Sequence, residues 1–466
     1  MKQHPLQTGP KTTKSIILYN PLSGTGHFDA WCALFCNALQ ERGWRVFAIT
    51  PDRMAVIANI SNGSFEQAPS TVTLIDRKTI FRGRIPIFSP FARWRDQLQA
   101  ALARRARSAL DDQASGRKPG VIPTIFASAV ALFQRVANVA ARFADEITRP
   151  LFNSLLIVSS TNPLAFARDV ALVRRAYELD DAVVLNLYID LYVGDAATWQ
   201  TFGKIVTREW VGLSIDLSNS LPEPLLAARS RLRRILYISE NTTHFPARSN
   251  KSLDYIWIPD VTSVILPSVR SDLASQIRQR AGSRKIAFLG GAIGGTKNLS
   301  MWYETMALCD PDEWFFLQVG AVNLSTLTTA DHLMLERTLA RDPENLLILD
   351  QYLEDEASFN ELIALSTVIW GFYRDFDRSS NILAKAASFR KPIIVSANYL
   401  MGKRIRDYRI GQGVADSDPA VVAESLNELA ANKIPDACFD RYLNDFGFPA
   451  LSRKLDDALT QMAGQP

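Results

Sequence analysis

The chain has too few cysteines to build a disulfide framework. Its 466 residues contain only Cys32, Cys36, Cys309 and Cys438, which are widely scattered. Cys32 and Cys36 also lack the spacing and the partner residues of a zinc site. We therefore expect reduced thiols in a cytosolic environment and no structural metal ion.

The sequence also lacks an apolar run long enough to cross a membrane. The longest run, 121–134, has about 14 residues, whereas a membrane span needs roughly 20. Residues 1–14 are polar and show no apolar core of a secretory signal. We predict a cytoplasmic location without a transmembrane helix, and we find no internal repeat or low-complexity tract.

Strong overall charge is missing too, because the formal net charge is only +4. Residues 82–150, however, hold twelve Arg or Lys against five Asp or Glu, in a pattern of amphipathic helices. Two interpretations remain open for this basic insertion. It is either a helical flap that covers its own domain or a surface that contacts anionic lipid. We expect no nucleic-acid partner.

What the sequence does contain is two series of buried strands that alternate with helices. The first series opens at Ser15 and the second at Lys285. This alternation predicts an α/β protein with two tandem Rossmann-like domains, parallel sheets and a ligand cleft between them. The predicted units are an N-terminal domain over 1–270, a C-terminal domain over 271–437, and a C-terminal helix within 438–466.

A glycine-rich turn follows the first strand and precedes the first helix. Such a turn lets a ligand approach the backbone closely, and its polar side chains lie at the carboxyl edge of the predicted sheet. The alternative is an ordinary tight turn. The candidate residues are Ser23, Gly24, Thr25, Gly26 and, as a general base or sugar-hydroxyl partner, His27.

A second glycine-rich turn, Gly290 to Lys297, follows the first strand of the second series. It approaches the phosphate-binding loop of nucleotide hydrolases, but its order is Thr-Lys, so no hydroxyl follows the lysine to reach a magnesium ion. Glycines, the cation of Lys297 and a helix start near Asn298 still suit a diphosphate. The predicted diphosphate contacts are Gly290, Gly291, Lys297 and Asn298.

A third candidate segment joins a buried strand to the helix that ends near Phe389. One interpretation is helix capping beside a solvated charged loop. The other is that the helix start and the acid Asp377 hold the sugar and phosphate of a donor substrate. The candidate residues are Arg374, Asp377, Ser379, Ser380 and Asn381.

Together these segments resemble the glycosyltransferases of the GT-B fold, nearest the retaining family-4 type. The resemblance is strongest from about 284 to 430. The family has a motif in which seven residues separate an acidic residue from a glutamate. These two positions fall on Asp377 and Lys385, so the second acid is replaced by a lysine here. Its Gly-Arg turn falls on Gly291 and Ala292, so that arginine is missing, while its following lysine matches Lys297. In the family, the loop after the strand that ends at Asp350 contacts the base through backbone groups, which suggests Gln351, Tyr352 and Leu353 here. The ring of Tyr352 would either stack on the base or pack in the core.

The resemblance implies a transferase that moves a sugar from a nucleotide-diphosphate sugar to a glycan or lipid-linked acceptor, with no cofactor and no essential metal. It implies that Asp377 and His27 take part in catalysis and that Lys385 contacts the donor. The two departures leave a non-catalytic binding or scaffold protein as the alternative. Asn20 to Gly24 also resemble the start of diacylglycerol kinases, but their downstream Gly-Gly-Asp-Gly-Thr loop is lacking.

Overall fold

The structure is a computed structural model of the whole chain. It describes residues 14–24, 28–61, 71–77, 161–192, 194–215, 221, 223–226, 230–238, 253–353, 356–415 and 418–463. The basic insertion predicted at 82–150 lies outside the described residues, as do Thr25, Gly26 and His27.

Two parallel sheets organise the described residues. The first has seven strands in the order β3-β2-β1-β4-β5-β6-β7. Its strands are β1 Ser15–Tyr19, β2 Arg45–Thr50, β3 Val72–Asp76, β4 Val183–Asn186, β5 Trp210–Ser214, β6 Leu232–Tyr237 and β7 Asp254–Trp257. The second has six strands in the order β10-β9-β8-β11-β12-β13. Its strands are β8 Lys285–Gly290, β9 Trp314–Val319, β10 Leu346–Leu349, β11 Val368–Gly371, β12 Ile393–Ser396 and β13 Gly411–Val414.

Helices connect these strands and cover both faces of each sheet. Those of the first domain are α1 Phe28–Glu41, α2 Arg53–Ser61, α3 Pro163–Tyr177, α4 Ala196–Ile205 and α5 Glu223–Leu226. Those that follow are α6 Asp272–Ala281, α7 Leu299–Leu308, α8 Thr329–Arg341, α9 Glu356–Leu365, α10 Asn381–Ser388, α11 Leu400–Tyr408, α12 Pro419–Ala431, α13 Asp436–Phe446 and α14 Phe448–Thr460. Every strand pairing is parallel, which such helical crossovers make possible.

Each sheet has an apolar core on both faces. In the first domain α1, α2 and α14 cover one face, while α3 and α4 cover the other. In the second domain α6, α9, α10, α11 and α13 cover one face, while α7, α8 and α12 cover the other. The strands are therefore buried on both sides, which is why they appear in the sequence as nearly continuous apolar runs.

The last helix packs on the first domain. Leu451, Leu455 and Leu459 recur every four residues, which places them on one helix face, and all three are buried in the core beside α1. Trp44 Nε1 donates a hydrogen bond to Asp456 at 2.8 Å across this contact. The sequence predicts one helix over 438–462, whereas α13 and α14 meet at Gly447. A Cβ there would lie 2.4 Å from the Leu443 carbonyl oxygen, so glycine makes the break possible.

None of the helices in the described part of the chain is both long and apolar enough to cross a bilayer. Within the same residues, we find no group of three or more His, Cys, Asp or Glu side chains that could hold a metal ion.

Candidate functional site

The candidate residues of the second domain gather at one edge of its sheet. Because the strands are parallel, the loops that follow β8, β10 and β11 all leave from the carboxyl ends. These loops contain the glycine-rich turn, Tyr352, and the segment from Arg374 to Ser380, respectively. Residues more than 80 positions apart in sequence therefore lie at one site.

The turns after β8 and β9 lie against each other, backbone to backbone. Gly291 has φ +95° and Gly320 has φ +139°, a conformation that glycine adopts readily and other residues avoid. A Cβ at Gly320 would lie 1.8 Å from the Gly291 carbonyl oxygen, which no side chain allows. Glycine at 320 thus permits the shape of the turn after β8.

Lys297 closes this turn with its side chain. It ends a short 3-10 helix, Gly295–Lys297. Its Nζ donates to the Gly290 carbonyl at 3.0 Å and to the Tyr373 hydroxyl at 2.6 Å. These contacts use two of the three donors of an ammonium group. Lys297 therefore places a half-buried positive charge across the turn, where an anionic ligand can meet it.

Arg374, which the sequence suggested as a donor contact, is directed into the protein. Its guanidinium makes a two-point ion pair with Asp331, at 2.8 and 3.1 Å, and Asp331 is fully buried. It also donates to Asn298 Oδ1 at 2.6 Å, Ser300 Oγ at 3.0 Å and the Gly295 carbonyl at 3.2 Å. Arg374 and Asn298 thus hold the glycine-rich loop in place.

The charge of Asp331 depends on this network. Burial by itself raises the pKa of the Asp331 carboxyl, but hydrogen bonds from Arg374, the Ser300 N–H and Thr328 hold that pKa well below its usual range. Asp331 is a residue that the sequence analysis missed. The signal available was its position three residues after Thr328, where the two side chains form a capping box for α8.

The start of α10 is only partly capped. Ser380 occupies the N-cap position but its side chain makes no capping hydrogen bond. Ser379 Oγ accepts a hydrogen bond at 2.9 Å from Arg404, which is buried on α11. Asp377 is exposed in the loop before the helix. The first N–H groups of a helix carry partial positive charge, so this end of α10 can receive an anion.

Lys385 lies inside the protein, with only 1% of its surface exposed. Its ammonium donates to Glu356 Oε1 at 2.5 Å, Asn360 Oδ1 at 2.5 Å and the Ser263 carbonyl at 3.2 Å. Burial lowers the pKa of Lys385, and the Glu356 carboxylate opposes that shift. Three acceptors thus meet its three donors, and Asn360 also donates to the Ile265 carbonyl at 2.9 Å. The cluster ties α10 to α9 and to the chain that leads out of the first domain.

Glu356 is a second residue that the sequence analysis missed. It begins α9, four residues after Tyr352, and 23% of its side chain is exposed. A carboxylate therefore stands next to Lys385, although α10 itself lacks the expected glutamate. The available signal was the spacing of Glu356 and Asn360, which places both on the face that meets a buried lysine.

The loop after β10 exposes Tyr352, with 52% of its surface accessible. The preceding Asp350 accepts a hydrogen bond from the Val322 N–H at 2.7 Å, which joins this loop to the turn after β9. Stacking of this ring on a nucleotide base stays a prediction.

In the first domain, the described part of the glycine-rich turn is held by α1. Asp29 Oδ2 accepts hydrogen bonds from Ser23 Oγ at 2.8 Å and from the Gly24 N–H at 3.0 Å. Burial raises the pKa of Asp29, and these two hydrogen bonds oppose that shift. Ser23 and Gly24 therefore lie at the carboxyl end of β1, as predicted from the strand-turn-helix pattern.

No protein-family model matches the chain, and no curated protein sequence matches it significantly. Solved structures do match. A glycosyltransferase from Rickettsia africae has a TM-score of 0.56 at 10% identity, over 98% of this chain and 100% of the other. The structure of Anabaena HepE in complex with UDP and glucose has a TM-score of 0.54 at 10% sequence identity, over 96% of this chain and 100% of the other. A UDP-forming α,α-trehalose-phosphate synthase from Burkholderia vietnamiensis has a TM-score of 0.51 at 13% sequence identity, over 97% of this chain and 100% of the other.

At such low identity these matches establish the fold and nothing finer. The described sheets and their order agree with it. The predicted α/β class and the GT-B arrangement of two Rossmann-like domains are therefore confirmed.

Proposed function

We propose that this chain is a glycosyltransferase that moves a sugar from a nucleotide-diphosphate sugar to a glycan or lipid-linked acceptor, in polysaccharide or glycoconjugate synthesis. One observation carries the proposal. The ammonium of Lys297, the start of α10 and the exposed acid Asp377 all lie at the carboxyl edge of the second sheet. The neighbours from Anabaena and Burkholderia, described with UDP, make UDP the first nucleotide to test.

The site suits stabilisation of a departing diphosphate. In sugar transfer, negative charge grows on the leaving group as the bond to the sugar breaks. Lys297 and the N–H groups at the start of α10 would meet that charge without reorganising, because the protein already holds them in place. Asp377 would orient the sugar, and the two domains would close on the acceptor.

The nucleoside end would lie along the loop after β10. Tyr352 offers an exposed ring for the base. Glu356, held by Lys385, offers a carboxylate that can accept hydrogen bonds from ribose hydroxyls. Lys385 would then act on the donor through Glu356, since its own donors are already engaged. Ser23, Gly24 and the undescribed Thr25, Gly26 and His27 would serve the acceptor.

The test compares Lys297, whose side chain contacts the carboxyl end of β8, with Lys285 at the amino end of that strand. Lys297→Ala should reduce nucleotide-sugar turnover at least about tenfold, because it removes a charged contact to the diphosphate. Lys285→Ala is the matched control, since Lys285 starts the same strand and pairs with Glu313 on the surface at 2.9 Å. UDP at about 100 times its dissociation constant should stabilise the wild type by roughly 2.7 kcal/mol, seen as a raised melting temperature. Equal turnover in both variants would remove Lys297 from the site.

The alternative is a GT-B-like binding or scaffold protein without catalysis, suggested by Lys385 and Ala292 in place of the family's residues. Donor hydrolysis or transfer distinguishes the two. If the wild type turns over the donor faster than Lys297→Ala does, a non-catalytic scaffold is excluded. Nucleotide binding without turnover, across a panel of acceptors, favours it.

We further propose a cytoplasmic protein that works without a metal and touches anionic membrane through residues 82–150. The support is the local excess of basic residues. Co-sedimentation of the full chain with anionic vesicles at low and high salt tests the contact. Salt-sensitive binding is expected, and absence of binding at low salt ends this part of the proposal.

A further inference from the structure

Helix α11 lies beside the loop that contains Asp377. This loop, residues 372–380, connects the end of β11 to the start of α10. Strand β12 is the parallel neighbour of β11, and α11 begins four residues after β12 ends. The loop and the start of α11 therefore leave the same edge of the sheet side by side. Two side chains from this part of the chain reach across to the loop.

Tyr399, the residue before α11, holds one side of the loop. Its hydroxyl donates a hydrogen bond to Asp375 Oδ1 at 2.9 Å. Asp375 has φ +48°, in the left-handed region, which residues other than glycine adopt only where their surroundings hold them. The hydrogen bond to Asp375 is the largest cause that raises the pKa of Tyr399, and the charge of Asp377 adds to it. The hydroxyl is therefore a donor at neutral pH.

Arg404, on α11 itself, holds the other side of the loop. One of its Nη atoms donates to Ser379 Oγ at 2.9 Å, and only 4% of the residue is exposed. Its guanidinium lies 4.2 Å from the centroid of the Phe446 ring on α13, and Phe446 stacks on Tyr442 with centroids 4.9 Å apart. Tyr442 is buried as well. This packing restricts the guanidinium, so Arg404 is a firm attachment for Ser379.

Asp377 lies between these two attachments, two residues from each along the chain. Asp375 and Ser379 are held, while Asp377 itself is exposed. A side chain that orients a substrate has to be placed to within about 0.5 Å. The loop around Asp377 has no regular secondary structure that could supply this precision. The hydrogen bonds from Tyr399 and Arg404 supply it instead.

We propose that Tyr399 and Arg404 are positioning residues for the sugar transfer and act through the loop that contains Asp377. This inference rests on the proposed function, because the placement of Asp377 affects turnover only if Asp377 orients the donor sugar. Nucleotide affinity should change little, since Lys297 is attached to other parts of the site. Loss of the Tyr399 attachment should therefore lower kcat and leave the dissociation constant of UDP nearly unchanged.

Tyr399→Phe removes one hydroxyl and keeps the ring. It should lower kcat about tenfold for the UDP-sugar that the wild type turns over fastest, and keep the dissociation constant of UDP within about twofold. Tyr408→Phe is the matched control, because Tyr408 ends the same helix and donates to the Asp445 carboxylate at 2.6 Å. It should keep wild-type turnover. In an Asp377→Ala background, Tyr399→Phe should have no further effect, since the side chain that it positions is gone.

Trypsin cleavage after Arg378 tests the attachments without any turnover. Arg378 is exposed in the loop and precedes Ser379, which Arg404 holds. Tyr399→Phe and Ser379→Ala should each speed this cleavage about tenfold, because a loop that has lost one attachment opens more often. Cleavage after the exposed Arg337 on α8, measured in the same digest, reports general unfolding and should not change.

The outcomes separate this inference from the proposed function. Equal cleavage rates after Arg378 in the wild type, Tyr399→Phe and Ser379→Ala would show that these hydrogen bonds do not hold the loop. A loss of kcat in Tyr399→Phe that persists in the Asp377→Ala background would show a general structural effect and overturn the positioning role. A wild type that turns over no donor refutes the proposed function and the positioning role with it, while the cleavage rates still decide whether the loop is held.

Discussion

Replacing Arg374 by methionine tests whether this side chain is structural or a ligand contact. Methionine keeps much of the apolar stem and removes the guanidinium. The change deletes both hydrogen bonds to Asp331 and those to Asn298, Ser300 and the Gly295 carbonyl. The glycine-rich loop would lose its attachment to α8, and Asp331 would lose its counter-charge.

The expected cost follows from the burial of Asp331. Removing one partner of a buried ion pair leaves an uncompensated charge and typically costs about 3–5 kcal/mol. Asp331 is fully buried, but the Ser300 N–H and Thr328 still donate to it, while 28% of the Arg374 side chain is exposed. We therefore expect the lower part of the range, about 3 kcal/mol of unfolding free energy.

Urea unfolding of four proteins measures this. Arg374→Met should lose about 3 kcal/mol, and Arg374→Met with Asp331→Asn should recover at least a third of that, because the orphaned charge is gone. Arg337→Met, on the exposed face of α8, is the control and should stay within about 0.5 kcal/mol of the wild type. A loss below 1 kcal/mol in Arg374→Met, combined with a large loss of nucleotide affinity, would refute the structural role.

The Arg374–Asp331 ion pair should also make the stability of the protein depend on pH in a known direction. The folded pKa of Asp331 is depressed, so its contribution to stability is fully present above the unfolded value of about 3.9 and is lost as pH falls below it. The stability gap between wild type and Arg374→Met should therefore be constant near neutral pH and shrink in acid. A gap that grows below pH 4 would contradict the assignment.

Three further predictions concern packing and charge. Gly320→Ala should destabilise the second domain by at least about 2 kcal/mol in urea, because a Cβ would lie 1.8 Å from a backbone oxygen. Trp44→Phe should cost about 1 kcal/mol through loss of the hydrogen bond to Asp456, and should speed amide exchange in α14. Lys385→Glu alone should cost about 3 kcal/mol or more by setting two carboxylates together, and adding Glu356→Lys should restore at least half of that stability.

Strands that are buried on both faces were predictable from the sequence. Strand β9, Trp314–Val319, can be recognised in the sequence because five of its six residues are apolar. The edge strand β13 was not predicted, since two of its four residues are glycines and glycine is uncommon in strands. One of these glycines, Gly411, is required by the closeness of the neighbouring strand. A Cβ at Gly411 would lie 2.0 Å from the Ile393 carbonyl oxygen of the neighbouring strand.

The positions of the site residues were predictable, but their partners were not. The sequence indicates that Lys297 and Ser380 follow strands of one parallel sheet, and the structure places them at one edge. It does not indicate that Arg374 meets Asp331, 43 residues earlier, or that Lys385 meets Glu356, 29 residues earlier. Such pairings depend on how helices pack on the sheet, and no local periodicity encodes them.

The partner of Lys385 also changes how the departures from the family pattern bear on activity. Compared with the family pattern, the chain has Ala292 in place of an arginine and Lys385 in place of a glutamate. In space, Lys385 pairs with the carboxylate of Glu356, and that pair is neutral, as an arginine at 292 with a glutamate at 385 would be. Lys297 then supplies the same net positive charge in both arrangements. At about 4 Å and an effective dielectric near 20, one unit of charge is worth about 4 kcal/mol to a diphosphate, so an uncompensated change would be expensive. Because Glu356 neutralises Lys385, the donor site proposed above would depend on Lys297 for its cationic contact to the diphosphate.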